Sequence, residues 1–264
     1  MYRGQGADVG VPRAVNGFPK GSVRAASTHQ RGSKIGRRFF LKERTAFIQH
    51  YYDEAAAPFV ETMSKIEAEE APYQPPPFNP DTMSLEPAFL QEWLRAQAGF
   101  QMVGQTCLSM LSDTLKIFFM THEDINGFDC ISVCEKGLFK KKGFIHGYRS
   151  GFAHYGVDWA QCPVSFDILE QVVLARNAAQ HGSHITTTSV SHKRDDLAKY
   201  PNPVFISDHE RELMERWGGS WLVEPSIHVS PEALQQAIGE AEKLADWMSS
   251  IDFRALRKKH RTPS

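Results

Sequence analysis

The chain has 264 residues, 41% apolar and 23% charged, with a net charge of −1 at pH 7. That length allows one large domain or two small ones with a real hydrophobic core, and the balance is that of an ordinary water-soluble globular protein. No apolar run approaches the roughly 20 residues of a membrane helix and no signal-peptide core opens the chain, so a cytoplasmic protein is expected, with Cys107, Cys130, Cys134 and Cys162 as reduced thiols.

The small net charge hides an uneven distribution. Residues 1–45 hold ten Arg or Lys against Asp8 and Glu43, and Arg254, Arg257, Lys258, Lys259 and Arg261 crowd the other end. Basic ends of this kind attract phosphate backbones without sequence preference, or serve only as solvated tails.

Residues 1–41 are rich in Gly, Ser and Arg, lack apolar periodicity, and read as a disordered basic segment. A helical domain over 42–252 and a basic tail over 253–264 follow. The first helix is expected from Lys42 to Ala68, with Phe47, Tyr51, Ala55, Phe59, Met63 and Ile66 on its buried side and Pro58 kinking or splitting it. Pro72, Pro75, Pro76, Pro77 and Pro80 then make an extended linker.

The second helix has the strongest pattern. Ser84 is its expected cap and Pro87 is placed in its first turn. Phe89, Trp93, Ala96, Phe100, Val103, Cys107, Met110, Thr114 and Ile117 recur at alternating steps of four and three, and Leu90, Leu94, Leu108, Leu111, Leu115 and Phe118 widen the stripe. Such a helix, about 50 Å long at 1.5 Å per residue, is the central rod of a bundle.

A turn at Asn126-Gly127 leads to a helical stretch over 133–155, broken by Gly137, Gly143, Gly147 and Gly151. The next helix spans Val164 to Gln180, with Gly182 suited to a left-handed cap. In residues 183–230, Pro201 and Pro203 interrupt the pattern, a short helix is expected at Asp208–Arg216, and Trp221-Leu222-Val223 and Ile227-His228-Val229 are candidate strands. A closing helix begins at Ser230-Pro231-Glu232 and carries Leu234, Ile238, Ala241, Leu244 and Met248. The expected fold class is therefore all-α: a helical bundle with a long central helix and a small irregular or β insertion.

The helix over 164–180 holds the chemistry. Phe166, Leu169 and Val173 fall at helical spacing, and the next turn of that stripe brings Asn177, Gln180 and His181, with Arg176 alongside. The expectation is a helix that turns polar on the face it should bury. Five Arg–His pairs have the His five or six residues after the Arg: Arg24 with His29, Arg44 with His50, Arg149 with His154, Arg176 with His181, and Arg254 with His260. Only the fourth combines an adjacent Asn, a well-patterned helix and a closing Gly. Basic residues also suit the last turn of a helix for electrostatic reasons alone.

The order Arg176-Asn177-Ala178-Ala179-Gln180-His181 in this helical setting resembles the HEPN superfamily of small helical bundles, and the similarity in arrangement covers about residues 43–250. The resemblance implies a HEPN-like fold and a metal-independent endoribonuclease acting as a homodimer, a toxin or phage-defence effector without a cofactor. In that reading His181 is the acid or base, Arg176 binds the phosphate, and Asn177 orients one or both. RNA supplies its own 2′-OH nucleophile, a near-neutral histidine suits proton transfer, and a guanidinium suits a phosphoryl group gaining charge. The implied partners are an RNA substrate, a second copy of the chain, and an antitoxin or other regulator. Where HEPN toxins paired with nucleotidyltransferase antitoxins carry a modified Tyr two places after the His, this chain has Ser183, so a different mode of control is implied. Two further readings stay open: a HEPN dimer that binds nucleic acid or nucleotide without cleaving it, and a scaffold bundle.

Weaker candidates are Cys130 and Cys134 with His122 or His146, whose spacing fits no standard zinc pattern; His184, His192 and His209 in the insertion; and Lys140-Lys141-Lys142 between Phe139 and Phe144.

Overall fold

The computed structural model describes residues 34–77, 86–180, 190–217 and 224–261. The helices are α1 (Lys34–Glu67), α2 (Leu90–Asn126), α3 (Cys130–Val133), α4 (Leu138–His154), α5 (Phe166–Gln180), α6 (Arg194–Lys199), α7 (Asp208–Trp217), α8 (Pro231–Ser250) and α9 (Phe253–Arg261). Among the described residues there is no strand, only an isolated bridge between Ser191 and Ser226. Ile227-His228-Val229 forms no strand, while Trp221-Leu222-Val223 lies outside the described residues. The class is all-α.

Helix α2 is the axis, with α1, α5 and α8 packed along it. Ala96, Phe100, Val103, Cys107, Leu108, Leu111, Thr114, Leu115, Phe118 and Phe119 are all buried, most of the expected stripe. Each fully buried Leu is worth about 1.5–3 kcal/mol relative to an exposed one. The stripe runs out at its edges, where Leu94 and Ile117 are exposed. The start of α2 is later than expected. Pro87 precedes the helix, Phe89 takes a left-handed conformation (φ 59°) before Leu90, and the expected cap Ser84 is outside the described residues. The other end is as expected, with Gly127 at φ 63° closing the helix.

Helix α1 corrects two expectations. It begins at Lys34, so residues 34–41 belong to the fold rather than to a disordered segment. It also runs through Pro58, which is exposed, so the carbonyl that loses its amide partner can bond water. Its buried line is Leu41, Thr45, Ile48, Tyr52 and Ala56; of the predicted line, Ala55, Phe59 and Met63 pack half-buried against the core, and its first members miss it. Phe47 and Tyr51 face outward. Arg38 and Lys42 pair with Asp246 of α8, and the Thr45 hydroxyl donates to Glu242 at 2.6 Å.

In α4 the Gly-broken pattern has a specific outcome. Gly143 (φ 83°) interrupts the helical geometry. Gly151 instead allows close approach, because a Cβ there would collide with Cys130 of α3. Phe119, Tyr148, Phe152, Phe128 and Phe253 form an aromatic cluster at this end, with ring centroids 5.3–6.3 Å apart. Phe253 belongs to α9, so the expected basic tail over 253–264 is, as far as Arg261, a docked amphipathic helix.

The closing helix α8 matches its sequence pattern: Ser230 Oγ accepts from Ala233 N at 3.2 Å, and Leu234, Ile238, Ala241, Leu244 and Met248 are all buried. The chain just before it is held by backbone bonds, such as His228 N to the Phe205 carbonyl at 3.1 Å, and by side chains. Tyr52 donates its hydroxyl to the Val229 carbonyl at 2.9 Å, and Val229 N donates to Gln101 Oε1 at 3.3 Å. Tyr52→Phe, which leaves that carbonyl short of a partner, is expected to lower the unfolding free energy by about 1–2 kcal/mol, measured by denaturant titration.

His122 of α2 is fully buried between Phe118 and Phe253, with neither ring nitrogen hydrogen-bonded among the described residues. Burial, and secondarily the nearby Arg37 charge, push its pKa down from 6.5 to about 3. Between those values the unfolded chain binds one more proton than the folded one at this site. The associated stability is therefore complete above pH 6.5 and falls as the pH drops, by up to about 1.4 kcal/mol per unit. His122→Phe is expected to flatten the curve of unfolding free energy against pH by that slope below about pH 6.

Candidate functional site

Helix α5 lies against α2 and α8. Its start is fixed by Ser165 N donating to Glu240 Oε2 of α8 at 2.7 Å. The buried line is Ile168, Leu169, Val172, Ala175 and Ala178. The apolar face therefore continues through the last turns as small residues, which corrects the expectation that the buried stripe itself turns polar. Val173, Arg176 and Asn177 lie half-buried on its flank. Alanines at 175 and 178 let α5 sit close, and the long Arg176 side chain spans the seam beside them.

Across that seam is α2. Arg176 Nη1 donates to Asn177 Oδ1 at 3.2 Å, and Nη2 lies 3.5 Å from Asp113 Oδ1. Nε is buried and has no hydrogen-bond partner among the described residues. The guanidinium is thus oriented from both sides, by its own helix neighbour and by a carboxylate of α2. Asn177 presents its carbonyl oxygen to a cation, which fixes the amide orientation with its N–H₂ pointing away. The third residue of the motif, His181, lies outside the described residues, as do Gly182, Ser183 and His184.

The opposite flank of α5 is covered by the segment from 190 to 207. Gln171 Oε1 accepts from Val204 N at 2.8 Å, and Glu170 accepts from Lys199 Nζ at 2.5 Å and from the Tyr200 hydroxyl at 2.6 Å. Burial acts against the Glu170 charge, but these two donors outweigh it and hold its pKa below the usual carboxylate value. His192, in the same segment, bonds the Phe205 carbonyl through Nε2 at 2.8 Å, and its pKa is lowered, chiefly by burial. It is a structural histidine. His209 is exposed on α7.

The weaker candidates do not converge. Burial raises the Cys130 thiol pKa well above its usual value, Cys134 Sγ donates to the Gly147 carbonyl at 3.6 Å, and His122 is sealed in the aromatic cluster. Among the described residues no three His, Cys, Asp or Glu side chains are grouped to hold a metal ion. Lys140, Lys141 and Lys142 are exposed at the start of α4.

Asp113 is the site residue that sequence reasoning missed. It sits between Met110 and Thr114 of the apolar stripe, and the signal was an acidic side chain one position off that stripe. No family model, curated protein or solved structure matches this chain.

The Asp113 side chain is 58% exposed, and exposed ion pairs contribute about 0–1 kcal/mol. Asp113→Asn is therefore expected to change the unfolding free energy by less than about 1 kcal/mol. A loss of about 3 kcal/mol or more in denaturant titration, typical of a broken buried pair, would make the contact a structural strut instead of an orienting one.

Proposed function

We propose that this chain is a HEPN-type, metal-independent endoribonuclease acting as a homodimer. One observation carries the reading: Arg176, at the end of α5 in a helical bundle, is held by its neighbour Asn177 with its guanidinium at the open seam with α2. A preset guanidinium is what a phosphodiester under attack requires, because its planar donor fork meets phosphoryl oxygens as their charge grows.

In the proposed reaction the RNA 2′-OH loses its proton to a base and attacks the adjacent phosphorus. The P–O5′ bond breaks, and an acid protonates the departing O5′. The products are a 2′,3′-cyclic phosphate and a 5′-hydroxyl. Arg176 stabilises the dianionic phosphorane and Asn177 holds Arg176 in place. His181 supplies the base or the acid, and two chains supply both, which is the chemical reason for a dimer. Asp113 competes with the phosphate for Nη2 and is displaced on binding, at small cost because its carboxylate reaches water.

The test is cleavage of RNA by the purified chain in excess EDTA, with product ends analysed. Wild type is expected to give cyclic phosphate ends, and Arg176→Ala and His181→Ala to lose about 100-fold or more in rate. Cleavage that persists in both variants, or that the chelator abolishes, would overturn the assignment.

A further inference from the structure

Helix α1 turns a line of aromatic residues to solvent. Phe40, Phe47 and Tyr51 recur at steps of seven and four, which a helix places on one face. Phe40 is 65% exposed and Phe47 59%. The Phe47 and Tyr51 rings are nearly parallel with centroids 6.4 Å apart, and Phe39 meets Phe40 edge-on at 5.6 Å. Beside this line, α1 and α2 border a hollow of about 540 Å³ whose apolar lining includes Phe40, Phe47, Met110 and the exposed Ile117. Apolar side chains scattered singly over a surface are ordinary, but a contiguous group marks a contact surface.

Its size fits one kind of contact. With an aromatic side chain offering about 200 Å², the exposed parts of Phe39, Phe40, Phe47, Tyr51 and Ile117 amount to about 500 Å² of apolar surface. A standard protein–protein contact takes about 800 Å² from each partner, and in homodimers about 65% of it is apolar. The patch therefore supplies the apolar share of one side of such a contact, and the polar residues around it supply the rim.

The charges select the partner. Glu43 and Arg44, both exposed in the lining of the hollow, form no ion pair with any described residue. They are neighbours about 100° apart around the helix, so they stand on either side of the Phe40–Phe47 line. Two different proteins meet through patches of opposite sign, one on each. A face that meets its own copy presents the same residues from both sides and must carry both signs itself. This one does. A polyanion, by contrast, meets Glu43 and Asp113 in the lining.

We propose that the Phe40–Tyr51 face of α1, with the hollow beside it, is the surface on which a second copy of this chain docks. Phe40 and Phe47 of each copy pack on the apolar lining of the other, and Arg44 pairs with the partner's Glu43. The ribonuclease reading asks for two chains but names no surface; this face stands on its own exposure and charge. That the contact unites two catalytic motifs does rest on that reading. Asp113 belongs both to the lining and to the 3.5 Å contact with Arg176 Nη2, so each motif arginine stands one side chain away from the interface.

The test is molar mass by light scattering on the purified full chain over a concentration series, which also yields the dimer Kd. Wild type is expected at twice the 29.8 kDa of one chain. Phe40→Asp with Phe47→Asp is expected at the single-chain mass with its circular dichroism retained, because both rings are exposed in the single chain. Met102→Asp, at an exposed methionine of α2 that does not line the hollow, is expected to remain dimeric. Arg44→Glu leaves only acids on the face and is expected to raise Kd about tenfold or more; adding Glu43→Arg to it returns both signs and is expected to restore Kd to within about threefold. Should the aromatic variant lose helicity, the charge variants decide. A single-chain mass for wild type overturns the proposal. So does a dimer that neither the aromatic nor the Arg44 variant weakens, or an Arg44→Glu loss that the second substitution does not reverse. Wild type that dimerises through this face and cleaves no RNA removes the nuclease reading and leaves the interface. Wild type that cleaves RNA as a single chain removes the interface and leaves the nuclease.

Discussion

Burial of α2 is the constraint on which the rest of the molecule depends. A helix of 37 residues is far too long for one neighbour to cover, and its buried apolar residues spread over nearly half its circumference between Phe100 and Phe119. It is stable in water only if several helices wrap it, which α1, α5 and α8 do. The wrapping helices have little freedom. Each must offer a line of small or branched apolar residues at helical spacing, as Leu41–Ala56, Ile168–Ala178 and Leu234–Met248 do. Where two wrapping helices leave a seam on α2, polar groups can sit at the edge of the core without being sealed in it. Arg176 and Asp113 meet at such a seam.

Outside that wrapped core, the described residues of 190–207 and 224–230 join each other by a few backbone bonds, such as Ile227 N to the Val190 carbonyl at 2.7 Å and His228 N to the Phe205 carbonyl at 3.1 Å. Side chains from the helices add to these. Gln171 takes Val204 N, Gln101 takes Val229 N, Tyr52 serves the Val229 carbonyl, and Glu210 takes both the amide and hydroxyl of Ser226. Each is a polar group at the margin of an apolar face, where its stem packs and its tip bonds. These bonds cover one flank of α5; the other carries Arg176, whose side chain is 28% exposed beside Asp113 of α2.

The two faces of α1 differ in burial. Its inner line seals the core, while Phe40 and Phe47, one residue removed, are exposed beside the hollow between α1 and α2. Arg37, at the start of that second line, is half-buried near His122.

Local chemistry in the sequence determined much of this protein. The all-α class, the long second helix, the Asn126-Gly127 turn, the Ser230-Pro231 start of α8 and its buried line all follow from short-range rules of spacing, capping and left-handed glycine, and they hold in the structure. Arg176 and Asn177 were legible as a pair because they are adjacent near the end of a well-patterned helix. Other features needed the tertiary fold. Which line of α1 faces inward was undetermined, since lines 41–48–52 and 40–47–51 are both apolar and only the fit against α2 and α8 selects one. The end of α5 misled for a related reason: Val173 outweighs Ala175 in any hydrophobic pattern, yet the close approach of α2 favours the smaller residue. The basic run after 252 reads as a tail until Phe253 finds the pocket made by Phe128, Phe152 and His122. Asp113 became part of the site only by proximity, 63 residues before Arg176 in sequence and 3.5 Å from it in space. Periodicity reports how a segment can be buried; only the packed neighbours decide against what.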